Sequence, residues 1–150
     1  MIVVSIVIRT LNEAYYLEEL LQSISRQKTE NFSIEVVIID SGSTDETLHI
    51  AEKYSCNITF IKKNEFTFGR SLNMGSKHAN GDILVYISGH CIPVNDEWLL
   101  NLIKPIVEGK VGYSYGRQVG RDSTKYFERR IFEKYFPLNS YTKMNFYIFM

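Results

Sequence analysis

The chain has 150 residues, of which 45% are hydrophobic and 23% charged, the composition of a single globular domain with a substantial core. Basic and acidic side chains number 17 each, so no net charge attracts nucleic acid and no nucleic acid partner is expected. The two cysteines have neither metal-ligand nor disulfide-framework spacing, and no segment reaches the ~20 apolar residues of a membrane span. We therefore expect one domain over residues 1–150, located in the cytoplasm.

Apolar runs and amphipathic segments alternate in the first part of the chain. Residues 3–8 and 34–39 are β-branched apolar runs typical of strands buried on both faces, and 57–61 is a shorter run of the same kind. Helices are predicted between these strands, and Ser43 or Thr44 is suited to cap the second helix. Their inward-facing side chains are Leu17, Leu20, Leu21 and Ile24 in the first helix and Ile50, Ala51 and Tyr54 in the second.

The middle of the chain predicts a loop, a helix and another buried strand. Residues 64–70 form the loop, which carries aromatic side chains, and 69–79 form the helix. The inward face of that helix consists of Leu72, Gly75 and Ala79. A turn at 80–82 leads into the strand at 83–87, which ends abruptly in the small and polar residues 88–91.

Three further elements are predicted downstream. The first is a helix that Asp96 caps and that Pro105 kinks or ends. Its apolar face consists of Leu99, Leu102, Ile103 and Ile106. Residues 111–115 favour a strand and 125–135 an amphipathic, basic-aromatic helix, while the terminal residues 145–150 are apolar.

This order of elements predicts an α/β fold with a mostly parallel sheet and helical crossovers. Polar loops at 10–13, 40–45 and 88–91 follow three of the strands. Since the carboxyl ends of parallel strands share one edge, where open α/β sheets bind ligands, these loops predict a binding site. The sequence lacks a G-x-G-x-x-G after the first strand and a G-x-x-x-x-G-K-[S/T] motif, which argues against a dinucleotide dehydrogenase and a P-loop kinase.

Several polar side chains are suited to bind a ligand, and each has a plainer interpretation. Asp40 could accept hydrogen bonds from a base or ribose, or it could bond its own backbone two residues on. Asn12 and Glu13 could contact a ligand or cap the following helix. Arg70 could neutralise phosphate or be a solvated residue at a helix start. His90 could bind a divalent metal or be structural.

Three stretches carry a resemblance to a known family: VVSIVIRTLNE, VVIIDSGSTDETLHIAEKY and FTFGRSLNMGSKHANGDILVYISGHCIP. In this order they resemble the N-terminal half of family-2 glycosyltransferases with the GT-A fold, over roughly residues 2–110. The stretch EFTFGRSLNMG is most similar to the rhamnosyltransferase-like branch. The resemblance implies a Rossmann-like, mostly parallel sheet, here truncated at the C-terminus.

The resemblance also implies a nucleotide-sugar site on the three loops. Its binding residues would be Thr10, Asn12, Glu13, Asp40, Ser41, Gly42, Arg70, Asn73, Ser88 and Gly89. Asp40 would read the base, and Arg70 and Asn73 would support the diphosphate. Ser88-Gly89-His90 lies where the family usually has Asp-x-Asp, so His90 is implied as a ligand of a divalent metal, Mn²⁺ or Mg²⁺. The neutral Ser88 predicts weaker metal affinity than a carboxylate would give.

Sugar transfer by inversion needs a carboxylate that takes the acceptor's hydroxyl proton. The family places this base and the acceptor contacts past residue 150, so we expect the catalytic base to be absent from this chain. The acids Glu128 and Glu133 lie among Arg129, Arg130 and Lys134 in one predicted helix. Solvated ion pairs are the expected role of these two acids.

The resemblance implies transfer of a sugar from a nucleoside diphosphate sugar to a glycan or lipid-linked acceptor in surface polysaccharide synthesis, at the inner face of the membrane or in the cytoplasm. A non-catalytic nucleotide-binding or assembly module is the alternative, and turnover would discriminate between the two. A third hypothesis is peripheral membrane association through KYFERRIFEKYF, whose aromatic and basic residues suit an interface. An exposed edge of the sheet could also pair two copies as a homodimer.

Overall fold

A computed structural model describes residues 1–120 and 124–136. The chain divides into two compact units, Met1–Lys104 and Pro105–Met150. The elements in chain order are β1 (Ile2–Thr10), α1 (Ala14–Ser25), β2 (Phe32–Asp40), α2 (Thr47–Lys53), β3 (Asn57–Phe60), α3 (Phe68–His78), β4 (Ile83–Ser88), α4 (Trp98–Val107) and α5 (Tyr126–Tyr135). No helix within 1–120 or 124–136 is long and apolar enough to cross a membrane.

The four strands of the first unit form one parallel sheet, which confirms the predicted fold class. The strand order is β3-β2-β1-β4, with β1 paired to β2 from Ile2↔Phe32 to Thr10↔Asp40. On its other side β1 pairs with β4, where Arg9 lies opposite Ser88. The chain builds the sheet outward from β1 in one direction and then returns to add β4 on the opposite side. The loops after β1 and β4 therefore flank the switch point of the sheet, where such folds bind ligands.

Apolar side chains cover both faces of the central strands. On one face Ile6 and Ile8 pack with the predicted inward residues of α1, all of which are buried. On the other face Val7 and Ile39 pack under α3. A Cβ on Gly75 would lie 2.4 Å from Val7 Cγ1 and 2.5 Å from Ile39 Cδ1, so the glycine lets the α3 backbone rest directly on the sheet.

One predicted strand is wrong. Residues 111–115 form no strand in the second unit, and Tyr113 and Tyr115 are 43% and 56% exposed. Strand propensity depends on burial against neighbouring strands, so an apolar, aromatic run does not form a strand by composition alone. The predicted helix at 125–135 is confirmed as α5, where Arg130 Nη1 and Glu133 Oε2 form an exposed ion pair at 3.1 Å. The terminal segment 145–150 lies outside the described residues.

Two predicted helix caps are also wrong. Helix α2 begins at Thr47, later than Ser43 or Thr44 would allow, and Asp45 Oδ1 accepts a hydrogen bond from the Thr47 N–H at 3.0 Å. Before α4, Asn95 Oδ1 accepts from the Glu97 N–H at 3.0 Å, whereas Asp96 forms an exposed ion pair with Arg26. Ser43 and Thr44 instead bond to the first loop. Helix α4 contains Pro105 and ends at Val107.

A polar network at the amino end of the sheet centres on Glu35. Its carboxylate accepts hydrogen bonds from Ser5 Oγ at 2.5 Å, the Asn80 N–H at 2.9 Å, Asn80 Nδ2 at 2.8 Å and Asn57 Nδ2 at 2.9 Å. Partial burial on its own would raise the pKa of Glu35, but the hydrogen bonds from Ser5, Asn80 and Asn57 outweigh it and lower the pKa below its ordinary value. This network ties β1, β2, β3 and the turn before β4 together.

We expect Glu35→Gln to lower the free energy of unfolding by about 1–2 kcal/mol at neutral pH, because the amide turns an NH₂ group toward donors. Since the folded pKa lies below the unfolded one, the carboxylate stabilises the fold above the unfolded value of 4.5 and loses this effect as pH falls through the folded pKa. Urea unfolding at pH 7 and at pH 3 measures both effects.

The matched control is Glu52→Gln, which changes an exposed acid on α2. It should unfold like wild type at both pH values. The role of the network would be contradicted if Glu35→Gln and wild type lost the same stability between pH 7 and pH 3.

Candidate functional site

The loops after β1 and β4 contact each other at the switch point. Gly89 is buried, and a Cβ there would lie 3.0 Å from Glu13 Cγ and 3.3 Å from the Arg9 carbonyl oxygen. His90 follows, with Nδ1 3.1 Å from Glu13 Oε1 and its side chain 56% exposed. The structure thus brings Glu13, Gly89 and His90 together, and glycine is the residue that allows this approach.

The loop after β1 is also bonded to the loop after β2. Asn12 has φ 55° in the left-handed region, which asparagine tolerates. Its N–H donates to Ser43 Oγ at 2.9 Å, and its Oδ1 accepts from the Thr44 N–H at 2.8 Å. The Glu13 N–H donates to Thr47 Oγ1 at 2.9 Å, while the Ala14 N–H donates to Asp45 Oδ2 at 3.1 Å. These bonds fix the backbone of both loops in one conformation.

Asp40 lies at the centre of this arrangement and is fully buried. Its Oδ1 accepts from the N–H groups of Gly42 and Ser43, each at 2.8 Å. Its Oδ2 accepts from Thr10 Oγ1 at 2.9 Å and Ser43 Oγ at 2.5 Å. Four donors fill the acceptor sites of a carboxylate, so this geometry is that of the turn-forming interpretation. A role for Asp40 in reading the base stays a prediction.

Ser41 and Gly42 complete the second loop. The buried Ser41 Oγ donates to the Thr10 carbonyl oxygen at 3.1 Å, and Gly42 has φ 102°, which favours glycine. Of the predicted site residues, Thr10, Asn12, Asp40, Ser41 and Gly42 therefore belong to one hydrogen-bonded scaffold.

Arg70 and Asn73 lie elsewhere, on the exposed side of α3. They line a shallow groove of about 550 Å³ together with Lys77 and His78. Arg70 Nη1 donates to the Glu65 carbonyl oxygen at 2.8 Å. Across residues 1–120 and 124–136, no hydrogen bond or ion pair joins Arg70 or Asn73 to the loop scaffold, so their support of a diphosphate remains a prediction.

Arg9 is a candidate that the sequence analysis missed. It is the penultimate residue of β1, and its guanidinium carbon lies 4.5 Å from the centroid of the Phe68 ring. Partial burial lowers the pKa of Arg9 from its ordinary value. The available signal was a cation at the carboxyl end of an apolar run, where a site was already expected.

The residues near Gly89 supply few ligands for a metal. Ser88 offers a neutral hydroxyl, and His90 and Glu13 contact each other. The described part of the chain contains no group of three His, Cys, Asp or Glu side chains that could hold a metal ion. Mg²⁺ and Mn²⁺ prefer about six oxygen-rich ligands, so these residues fit an ion only if a bound nucleotide supplies most of the others.

Comparisons with known proteins match the sequence of this chain to one family. The family model "Glycosyl transferase family 2" matches residues 5–149. The poly(ribitol-phosphate) beta-N-acetylglucosaminyltransferase TarS of Staphylococcus aureus is 32% identical over 87 residues, which are 55% of this chain and 15% of TarS. The O-antigen chain rhamnosyltransferase WbaN of Salmonella anatum is 33% identical over 94 residues, 62% of this chain and 30% of WbaN. The chain thus spans well under half of these relatives.

Solved structures of related enzymes share the fold. A crystal structure of S. aureus TarS residues 1–349 in complex with UDP superposes with a TM-score of 0.61 and 27% identity, covering 81% of this chain and 39% of that one. Glucosyl-3-phosphoglycerate synthase from Mycobacterium tuberculosis, in complex with Mn²⁺, UDP and glucosyl-3-phosphoglycerate, gives 0.59 and 25%, covering 70% of this chain and 39% of the synthase.

Proposed function

The chain belongs to glycosyl transferase family 2, and we propose that it binds a nucleoside diphosphate sugar at the carboxyl edge of its sheet and takes part in transferring the sugar. The observation that carries this proposal is the meeting of the β1 and β4 loops at the switch point, where buried Gly89 lies against Glu13. The UDP-bound relatives, which share this fold, support a nucleotide as the ligand.

Each part of the site has a proposed task. The scaffold of Thr10, Asn12 and Asp40 holds the two loops that would contact the nucleoside, with Asp40 setting the conformation of Ser41 and Gly42. Gly89 lets the loop after β4 lie directly against Glu13, which holds the Ser88-Gly89-His90 segment where the diphosphate would bind. Pre-formed loops lower the conformational entropy that binding would otherwise cost.

The reaction itself places charge on the donor's diphosphate. The acceptor hydroxyl oxygen attacks the anomeric carbon, the carbon–oxygen bond to the diphosphate breaks with its electron pair, and a base takes the acceptor's proton. The described residues would supply the donor side of this reaction, and none of them is assigned as the base. His90 would hold a divalent ion together with the donor's phosphate oxygens, and such an ion would offset the charge of the departing diphosphate.

We further propose that the acceptor is a glycan or a lipid-linked saccharide of a surface polysaccharide. The names of two relatives support this, since TarS is a poly(ribitol-phosphate) beta-N-acetylglucosaminyltransferase and WbaN is an O-antigen chain rhamnosyltransferase. The sugar and the base of the donor remain open to the binding experiment below.

Calorimetric titration with UDP, GDP and dTDP tests the proposal, with Mn²⁺ and with EDTA. We expect at least one nucleotide to bind wild type and Gly89→Val to bind it at least about tenfold more weakly, because the added side chain fills the space against Glu13. A radiolabelled transfer assay with the sugar nucleotide then separates an enzyme from a binding module.

The matched control is Gly112→Val, at a glycine around which a Cβ would meet nothing within 4 Å. It should bind nucleotide like wild type. A folded wild type that binds none of the three nucleotides would refute the proposed function, and equal affinities of Gly89→Val and wild type would refute the position of the site.

A further inference from the structure

We propose that Arg9 binds the diphosphate of the donor and supplies a fixed positive charge at the switch point. This inference rests on the proposed function and deepens it, since it names the protein group that meets the leaving group. It follows from the position of Arg9 in the sheet, from its surroundings and from the chemistry of guanidinium groups.

The strand register places Arg9 beside the loop that follows β4. Arg9 pairs with Ser88 on one side and with Ile39 on the other. Paired residues in neighbouring parallel strands lie about 4.8 Å apart and project to the same face. Arg9 thus lies next to Ser88, the first residue of the Ser88-Gly89-His90 segment. Its carbonyl oxygen would lie 3.3 Å from a Cβ built on Gly89.

The surroundings of Arg9 leave its charge uncompensated. The guanidinium is half-buried and lies over the Phe68 ring, at the end of the apolar row of Val7 and Ile39. Within residues 1–120 and 124–136 it forms no ion pair, whereas Arg26 pairs with Asp96 at 3.7 Å. Removing a cation from water is unfavourable unless an anion approaches it, so this position favours binding of a negatively charged group.

The chemistry of the guanidinium group favours phosphate as the anion that binds at Arg9. The planar fork of arginine matches two phosphate oxygens, and the Phe68 ring, 4.5 Å from the guanidinium carbon, contacts the Arg9 side chain at this position. When the anomeric carbon–oxygen bond breaks, its electron pair passes to the diphosphate oxygen, and a cation already in place stabilises that charge. Arg9 would supply this charge where residues 1–120 and 124–136 provide few metal ligands.

The test measures binding of a diphosphate against its monophosphate. The nucleotide among UDP, GDP and dTDP that binds wild type most tightly is titrated in EDTA and in Mn²⁺, together with the corresponding monophosphate. The variants are Arg9→Met, which keeps the apolar stem on Phe68 without the charge, Arg9→Lys, which keeps the charge without the fork, and the control Arg26→Met. Circular dichroism and thermal unfolding establish that each variant is folded, and Arg9→Gln replaces Arg9→Met if the latter is not.

In EDTA we expect Arg9→Met to weaken diphosphate binding about 10- to 100-fold, Arg9→Lys to weaken it less, and Arg26→Met to leave it unchanged. The loss should be smaller for the monophosphate, a difference that a merely structural role would not produce. The inference is overturned if Arg9→Met binds the diphosphate as tightly as wild type, if it loses mono- and diphosphate equally, or if wild type binds the diphosphate only with Mn²⁺. Wild type that binds no nucleotide under either condition would instead refute the proposed function.

Discussion

Asp40→Ala is expected to lower the free energy of unfolding by about 3 kcal/mol and to abolish nucleotide binding. The carboxylate is fully buried and accepts four hydrogen bonds, two of them from the backbone N–H groups of Gly42 and Ser43. Its removal leaves those donors and the hydroxyl of Thr10 without their acceptor, and a buried donor without a partner costs about 1–3 kcal/mol. The loops after β1 and β2 would then lose their fixed conformation.

Urea unfolding and calorimetric titration measure these two effects separately. Asp40→Asn is the informative companion, because its amide keeps the size but turns an NH₂ group toward donors. Asp96→Ala is the matched control, since it removes an exposed acid whose ion pair with Arg26 is worth at most about 1 kcal/mol. A stable Asp40→Ala that has lost only nucleotide affinity would show that the carboxylate contacts the ligand and not the loops.

The sequence predicted the strands well where an apolar run also has a neighbouring strand to pair with. The runs that became β1, β2 and β4 are apolar and pair with a neighbouring strand, although β4, at the edge of the sheet, exposes Leu84 and Tyr86. Their predicted bounds differ from the observed ones by at most two residues. The run at 111–115, Val-Gly-Tyr-Ser-Tyr, contains strand-favouring valine and tyrosines, but its tyrosines are exposed and it forms no strand. Local composition measures the tendency to be buried, whereas strand formation also needs a neighbouring strand.

In the candidate site, the positions of the loops could likewise be predicted from the sequence, whereas contacts between distant residues could not. The loops at 10–13, 40–45 and 88–91 could be placed at one edge because parallel strands fix their relative position. The bond of Asp40 to the backbone two residues on was among the predicted alternatives. Its bond to Thr10, 30 residues away in sequence, could not be predicted. Arg9 was missed because the predicted strand ended at residue 8, so Arg9 lay outside the strand and its pairing with Ser88 was hidden.

Gly81→Ala is expected to lower the free energy of unfolding by about 3 kcal/mol. Gly81 lies in the turn before β4, at the end of the sheet opposite the candidate site. A Cβ at Gly81 would lie 2.5 Å from Ser5 Oγ, 2.6 Å from the Ser5 backbone nitrogen and 2.9 Å from the Val3 carbonyl oxygen. Two of these atoms belong to the backbone of β1, which is held in the ladder on both sides and cannot move without breaking it. The Gly81 N–H would also lose its hydrogen bond to Ser5 Oγ, now 2.8 Å.

Alanine variants of two further glycines are compared with Gly81→Ala by their free energies of unfolding in urea. Gly75→Ala should cost less, because one of its two closest contacts is the terminal atom of Ile39 and the gain in helix propensity offsets about 1 kcal/mol. Gly112→Ala, with open space around it, should unfold like wild type. Since the turn at Gly81 lies at the amino edge of the sheet, Gly81→Ala that is folded should bind nucleotide with the affinity of wild type. A free energy of unfolding equal to that of wild type would contradict the close approach of this turn to β1.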